Sequence, residues 1–194
     1  MSLTTEMRLP SATKEEGHHF TYVGRFRYAI TMPVRRGVRV FVTEEAVKGV
    51  HDRLIAVARQ TEFEVIAYCY LPEKLSIIVG GKEDTSDLRA FLKTLRATTA
   101  ELTPGAPLWS RHYLERVVRK GEDMKRVAHE LYRLPVVAGL AKQPSEYPYQ
   151  GSLTGLTPEV TSPREGARGK TEKKFRGAPR PRDAEKRGSR PRGH

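Results

Sequence analysis

The chain has 194 residues, enough for one compact domain with tails, and a domain of that size buries a core without disulfides or metals. A lone cysteine, Cys69, excludes an intramolecular disulfide and fits a reducing interior, while no apolar run approaches the length of a bilayer span. The net charge of +12 favours polyanionic partners, and the first 17 residues lack a hydrophobic signal core, so the expectation is a soluble cytoplasmic protein.

In chain order, residues 1–19 read as a flexible leader in which His18 and His19 have no further metal ligands nearby. The domain itself is expected over residues 20–150. A strand at about 26–34 and an arginine-rich loop lead to a helix at about 44–60. Thr43 is its expected cap, with Glu44 and Glu45 in the first turn, and Val47, Val50, Leu54, Val57 and Ala58 form one apolar stripe. Strands follow at about 62–71 and 75–80. Alternation in the second puts Leu75, Ile77 and Val79 on one side and Lys74, Ser76 and Ile78 on the other. A second helix at about 87–102 has Ser86 as expected cap and buries Leu88, Phe91, Leu92, Leu95 and Leu102. A strand at about 109–118 and a helix at about 122–134 complete the set. That last helix buries Met124, Val127, Ala128, Leu131 and Leu134. Cys69 lies in an apolar strand and reads as a small buried hydrophobe rather than a nucleophile. The order of elements predicts an α+β fold, a single sheet with an antiparallel pair and helices packed on one face.

Charge is unevenly placed. Residues 151–194 hold 12 Lys or Arg against 5 Asp or Glu, which is +7 of the +12 total. That segment is rich in Pro and Gly and nearly free of aliphatics, so it is expected to be a disordered basic tail. Such a tail either contacts phosphates without sequence preference or merely solubilises the chain. No Gly-rich phosphate loop, paired-cysteine zinc site or serine nucleophile motif occurs.

Four blocks carry a resemblance. Ala67-Tyr68-Cys69-Tyr70-Leu71-Pro72-Glu73-Lys74-Leu75-Ser76-Ile77-Ile78-Val79 is similar to the strand-loop-strand signature of the IS200-like transposases and the REP-associated tyrosine transposases. In that family it reads about Ala-Tyr-Cys-x-Met-Pro-Asn-His-x-His-x-x-Val. Arg27 through Phe41 resembles the family's first strand and following loop, and Leu108-Trp109-Ser110-Arg111-His112-Tyr113 its Leu-Trp-x-x-x-Tyr run. Leu134-Pro135-Val136-Val137-Ala138-Gly139-Leu140-Ala141, with Pro144, Tyr147, Pro148 and Tyr149, resembles its closing pattern. The resemblance covers most of residues 22–151. It implies a ferredoxin-like palm, usually dimeric through a shared sheet, acting on single-stranded DNA hairpins with Mg or Mn.

The chain departs from the family where the chemistry sits. The two histidines, one residue apart on a strand so that both imidazoles reach one cation, are replaced by Lys74 and Ser76. The nucleophilic tyrosine position is Glu130 and the metal-holding amide position is Leu134. Tyr132 is the obvious replacement nucleophile, yet two residues on a helix differ by about 200°, which sets it on the other edge of the buried stripe. The joint loss predicts a pseudoenzyme with no catalytic residues and no metal. His112 and His129 each stand alone and read as surface residues, and neighbouring Glu130 and His129 diverge on a helix.

A DNA-binding protein derived from such a transposase is the first expectation. Its expected nucleic-acid ligands are Arg25, Arg27, Arg35, Arg36, Arg39, Lys74, Arg111, Arg116 and Arg119. Tyr22, Phe26, Tyr28 and Tyr113 are available for stacking but read first as core or rim aromatics, as does Trp109. Two alternatives remain open: an active nuclease with a relocated site built from Glu130, Tyr132, Glu73 and His112, and an RNA-binding ribonucleoprotein component.

Overall fold

A computed structural model describes residues 21–103 and 105–157, all within one compact unit. The expected leader, with His18 and His19, and the expected tail from residue 158 onward lie outside the described residues. The elements are β1 (Arg27–Pro33), α1 (Glu44–Gln60), β2 (Phe63–Leu71), β3 (Lys74–Gly81), α2 (Leu88–Thr99), β4 (Leu114–Val118), α3 (Met124–Tyr132), α4 (Leu134–Val137) and β5 (Gln150–Gly151).

The strands form one antiparallel sheet in the order β4-β1-β3-β2-β5. Its first four strands have ferredoxin-like order, with α1 and α2 as the connections. The α1 boundaries match the expectation, because the Thr43 hydroxyl accepts from the Ala46 N–H and two glutamates complement the positive end of the helix. The cap of α2 is Asp87 rather than Ser86. The Asp87 carboxylate accepts from the Arg89 and Ala90 amides, while Ser86 is buried, donates to the Glu62 carbonyl and accepts from the Glu83 N–H. Two other elements are shorter than expected. Strand β4 begins at Leu114, because 109–113 serve as a connection with one bridge between Trp109 and Val34, and α3 is capped by Asp123 and ends at Tyr132.

Large apolar groups fill the space between the sheet and α1 and α2. Tyr28, Ile30 and Met32 of β1 meet Leu75, Ile77 and Val79 of β3, Leu54 and Val57 of α1, and Phe91 and Leu95 of α2. This is the expected layer of helices on one face. Helix α3 takes the opposite face, where Val127, Ala128, Leu131 and Tyr132 pack on Ile66, Ala67, Cys69 and Ile78. Expecting every helix on one side therefore holds for α1 and α2 only, since Ile66, Ala67 and Ile78 give the second face an apolar end that must also be covered.

A bulge in β2 between Val65 and Ala67 decides what each face displays. Before it, Phe63 and Val65 point toward α1 and α2; after it, Tyr68 and Tyr70 do, and Cys69 and Leu71 turn to the α3 side. The domain also continues past the expected boundary at 150. Gly151 pairs with Tyr68, the Ser152 hydroxyl donates to the Ile66 carbonyl at 2.6 Å, and Leu156 packs against the α3 cluster.

Candidate nucleic-acid interface

Leu71 and Lys74 are joined by the two-residue turn Pro72-Glu73, whose proline fixes φ for a tight reversal. The arginine-rich segment after β1 is strapped to this turn by its backbone. Val34 N–H donates to the Glu73 carbonyl at 2.9 Å, and the Val40 and Phe41 amides donate to the Pro72 carbonyl at 2.9 and 3.3 Å. Arg39 is thereby brought beside Lys74. Together with Pro33, Leu71, Pro72, Glu73, Ala138 and Leu140 they line an open cleft of about 420 Å³. Ala138 and Leu140 come from the segment after α4, 60 or more residues away, so no local pattern revealed their part in it.

Beside the cleft, strand register stacks Thr31, Ser76 and Cys69 across β1, β3 and β2. Ser76 is 3 % exposed and its hydroxyl lies 3.2 Å from that of Thr31. Cys69 is fully buried, as expected of a small hydrophobe; burial pushes its thiol up to about 12, although the Lys74 ammonium pulls the other way. A divalent cation held by two imidazoles and an amide does not fit this donor set. An ammonium offers no lone pair, the Ser76 hydroxyl is sealed in a pair with Thr31, and Leu134 packs as a hydrophobe against the α3 cluster. Among the described residues no group of three His, Cys, Asp or Glu side chains could hold a metal.

On α3, Glu130 and His129 are exposed, while Tyr132 is 1 % exposed and faces inward. Its phenol lies 2.6 Å from the Leu156 carbonyl and 3.0 Å from the Gly151 carbonyl, and burial pushes its pKa up to about 12. That hydroxyl holds the chain after β5 in place. A buried phenol that is hard to ionise and already donating is poorly suited to attack a phosphate.

The candidate cations sort by their partners. Arg25 is engaged by Glu83 and Asp84, at 2.9 and 3.2 Å. Arg116 forms a close pair with Glu122 at 2.8 Å, and the Arg119 amide donates to the same carboxylate, which is held below its usual range by that N–H and by Arg116. Arg27, Arg35, Arg36, Arg39, Lys74, Arg111 and Arg119 enter no ion pair with another described residue. Arg39 and Lys74 share the cleft, Arg35 and Arg36 lie on the strapped segment, and Arg27 is on the same sheet face as Lys74 by register. Arg111 is elsewhere, with its carbonyl 3.5 Å from Arg96 of α2.

The aromatics divide similarly. Tyr28 is sealed in the core, and Trp109 is buried with its indole N–H donating to the Thr99 hydroxyl at 2.7 Å, a structural role as expected. Tyr22 and Tyr113 lie beneath Arg89 and Arg96 of α2, away from the cleft, and Phe26 is 40 % exposed. His112 is exposed. His51, which the sequence did not single out, is half-buried against Tyr68 with ring centroids 4.5 Å apart, and burial lowers its pKa.

No family model matches this sequence, and no curated protein matches it. Among solved structures, a REP-associated tyrosine transposase bound to a REP hairpin aligns with a TM-score of 0.60 and 22 % identity, over 70 % of this chain and 81 % of its own. A protein of Deinococcus radiodurans R1 assigned as a transposase aligns at a TM-score of 0.42 and 19 % identity, over 65 % of this chain and 97 % of its own, a weaker match that adds nothing to the assignment. No described helix is long and apolar enough to cross a membrane. Over about 70 % of its length, this chain has the fold of a REP-associated tyrosine transposase.

Proposed function

We propose that this protein binds single-stranded or hairpin DNA at the Lys74 cleft and does not nick it. The observation that carries the reading is the Lys74 ammonium, without a carboxylate partner among the described residues, in a cleft shared with Arg39. A point charge there attracts one phosphate directly, where the resembled family uses a metal. Arg27, Arg35 and Arg36 extend the positive surface, whereas Arg25 and Arg116 are discounted by their carboxylates. The loss of nicking is supported by the buried Ser76, the exposed Glu130 and the committed phenol of Tyr132. DNA is favoured over RNA because the resembled family acts on single-stranded DNA hairpins and the neighbour of this fold was solved bound to a REP hairpin. The same reading includes a cytoplasmic location and a homodimer; a second copy would add at the free edge of β4, a five-residue strand with Leu114 62 % exposed.

The test is incubation of the protein with a labelled DNA hairpin, with and without Mg²⁺ or Mn²⁺, read on denaturing and native gels. A salt-sensitive shift without cleavage is expected, with or without metal. Metal-dependent nicking or a covalent adduct overturns the non-catalytic reading, and a shift that only RNA produces overturns the choice of DNA.

A further inference from the structure

We infer that α2 carries a second phosphate-contacting surface, on the side of the sheet opposite the cleft. It rests on the nucleic-acid role proposed above and assigns part of it to different residues. Arg89, Lys93 and Arg96 recur at i, i+4 and i+7, so they form one stripe along the helix, while Leu88, Phe91, Leu92 and Leu95 are buried on the other side. The helix contains no acidic residue. Its neighbour α1 shows what an ordinary solvated face looks like: Glu44, Glu45, Lys48, Asp52, Arg53 and Arg59 are intermixed, and Lys48 pairs with Asp52.

Two of the three cations in the stripe are oriented by aromatic rings. The Arg89 guanidinium sits 5.1 Å from the centroid of Tyr22, and that of Arg96 sits 5.4 Å from the centroid of Tyr113. Such stacking uses the flat face of the guanidinium and leaves its N–H edges available for oxyanions. Arg89 and Lys93 are exposed, whereas Arg96 has its Nη1 near the Arg111 carbonyl and its Nε and Nη2 buried, so Arg96 adds positive charge behind the other two rather than a direct phosphate contact. Nearby carboxylates are committed elsewhere. Asp87 accepts from two backbone amides at the start of α2, and Glu115 accepts from the Tyr22 hydroxyl at 3.1 Å. Exposed Arg111 adds a fourth positive charge beside Arg96. A stripe of one sign with its counter-charges engaged fits the phosphate backbone of a nucleic acid.

The test compares wild type with an R89Q/K93Q variant, two exposed positions outside the core, using a fluorescein-labelled DNA hairpin in anisotropy titrations from 50 to 200 mM NaCl. Each lost phosphate contact lowers the slope of log affinity against log salt by about 0.9. Two contacts predict that wild type loses about twelvefold more affinity than the variant across that fourfold range. An unchanged slope overturns the assignment and leaves the stripe to solvent or to an acidic protein. An R39Q/K74Q variant run in parallel separates the two surfaces. If only that variant is affected, the α2 surface fails and the cleft stands; if only R89Q/K93Q is affected, the cleft fails and the stripe stands.

Discussion

The two faces of the sheet are built to different ends. Toward α1 and α2, Tyr28, Ile30 and Met32 of β1 and Leu75, Ile77 and Val79 of β3 are apolar side chains with almost no exposure. Toward α3, only one end is covered; at the other, Lys74 opens onto the cleft, Leu114 is 62 % exposed, and Ser76 is closed against Thr31. A sheet of this size gains its stability from one filled face, which leaves part of the second available for a ligand. Substitutions on the first face should unfold the protein, and those on the open end of the second should alter binding at little cost in stability.

Leu54→Ala, at a fully buried position of α1, should cost about 2–5 kcal/mol in a urea denaturation. A cost below 1 kcal/mol would mean that the first face is loosely packed and the contrast false. Ser76→His is a sharper probe, because it restores one side chain of the resembled metal pair to a site now closed. Overpacking should cost about 1–3 kcal/mol, and a K74H/S76H double variant should still fail to cleave a hairpin with Mn²⁺. Cleavage by that variant would show that the face is closed by its side chains alone. R39Q/K74Q should weaken hairpin binding by about tenfold at moderate salt while its urea midpoint moves by less than about 0.5 kcal/mol equivalent. Tyr132→Phe should destabilise by about 1 kcal/mol and speed amide hydrogen exchange at Leu156.

The smallest effect concerns pH. Glu122 has a folded pKa below its unfolded value, first through the Arg119 N–H and then through Arg116. Its contribution is full above the unfolded carboxylate range and is lost as pH falls through the folded value. Wild type should exceed Glu122→Gln by about 1 kcal/mol near neutrality, and the difference should shrink on acidification.

Much of this contrast was legible in the residues. The α1 stripe, its Thr43 cap and the alternation of β3 follow from period and capping chemistry, so Lys74 and Ser76 are placed on the correct face before any coordinates. The bulge in β2 was not legible, since Ile66 and Ala67 are both apolar and carry no sign of a doubled position. Ser86 and Asp87 are both good caps, and the choice between them was made by a remote partner, the Glu62 carbonyl. Pairing of charges was hidden for the same reason. Arg25 meets its carboxylates 58 and 59 residues away, so sequence alone ranked it with Arg39, which has none among the described residues.

The hold that Tyr132 and Ser152 exert on residues 151–156 makes this segment part of the folded domain. With Leu156 against the α3 cluster, a chain ended before residue 151 would leave the Tyr132 hydroxyl and the Ile66 carbonyl without these partners, and it should unfold at lower urea than the full chain.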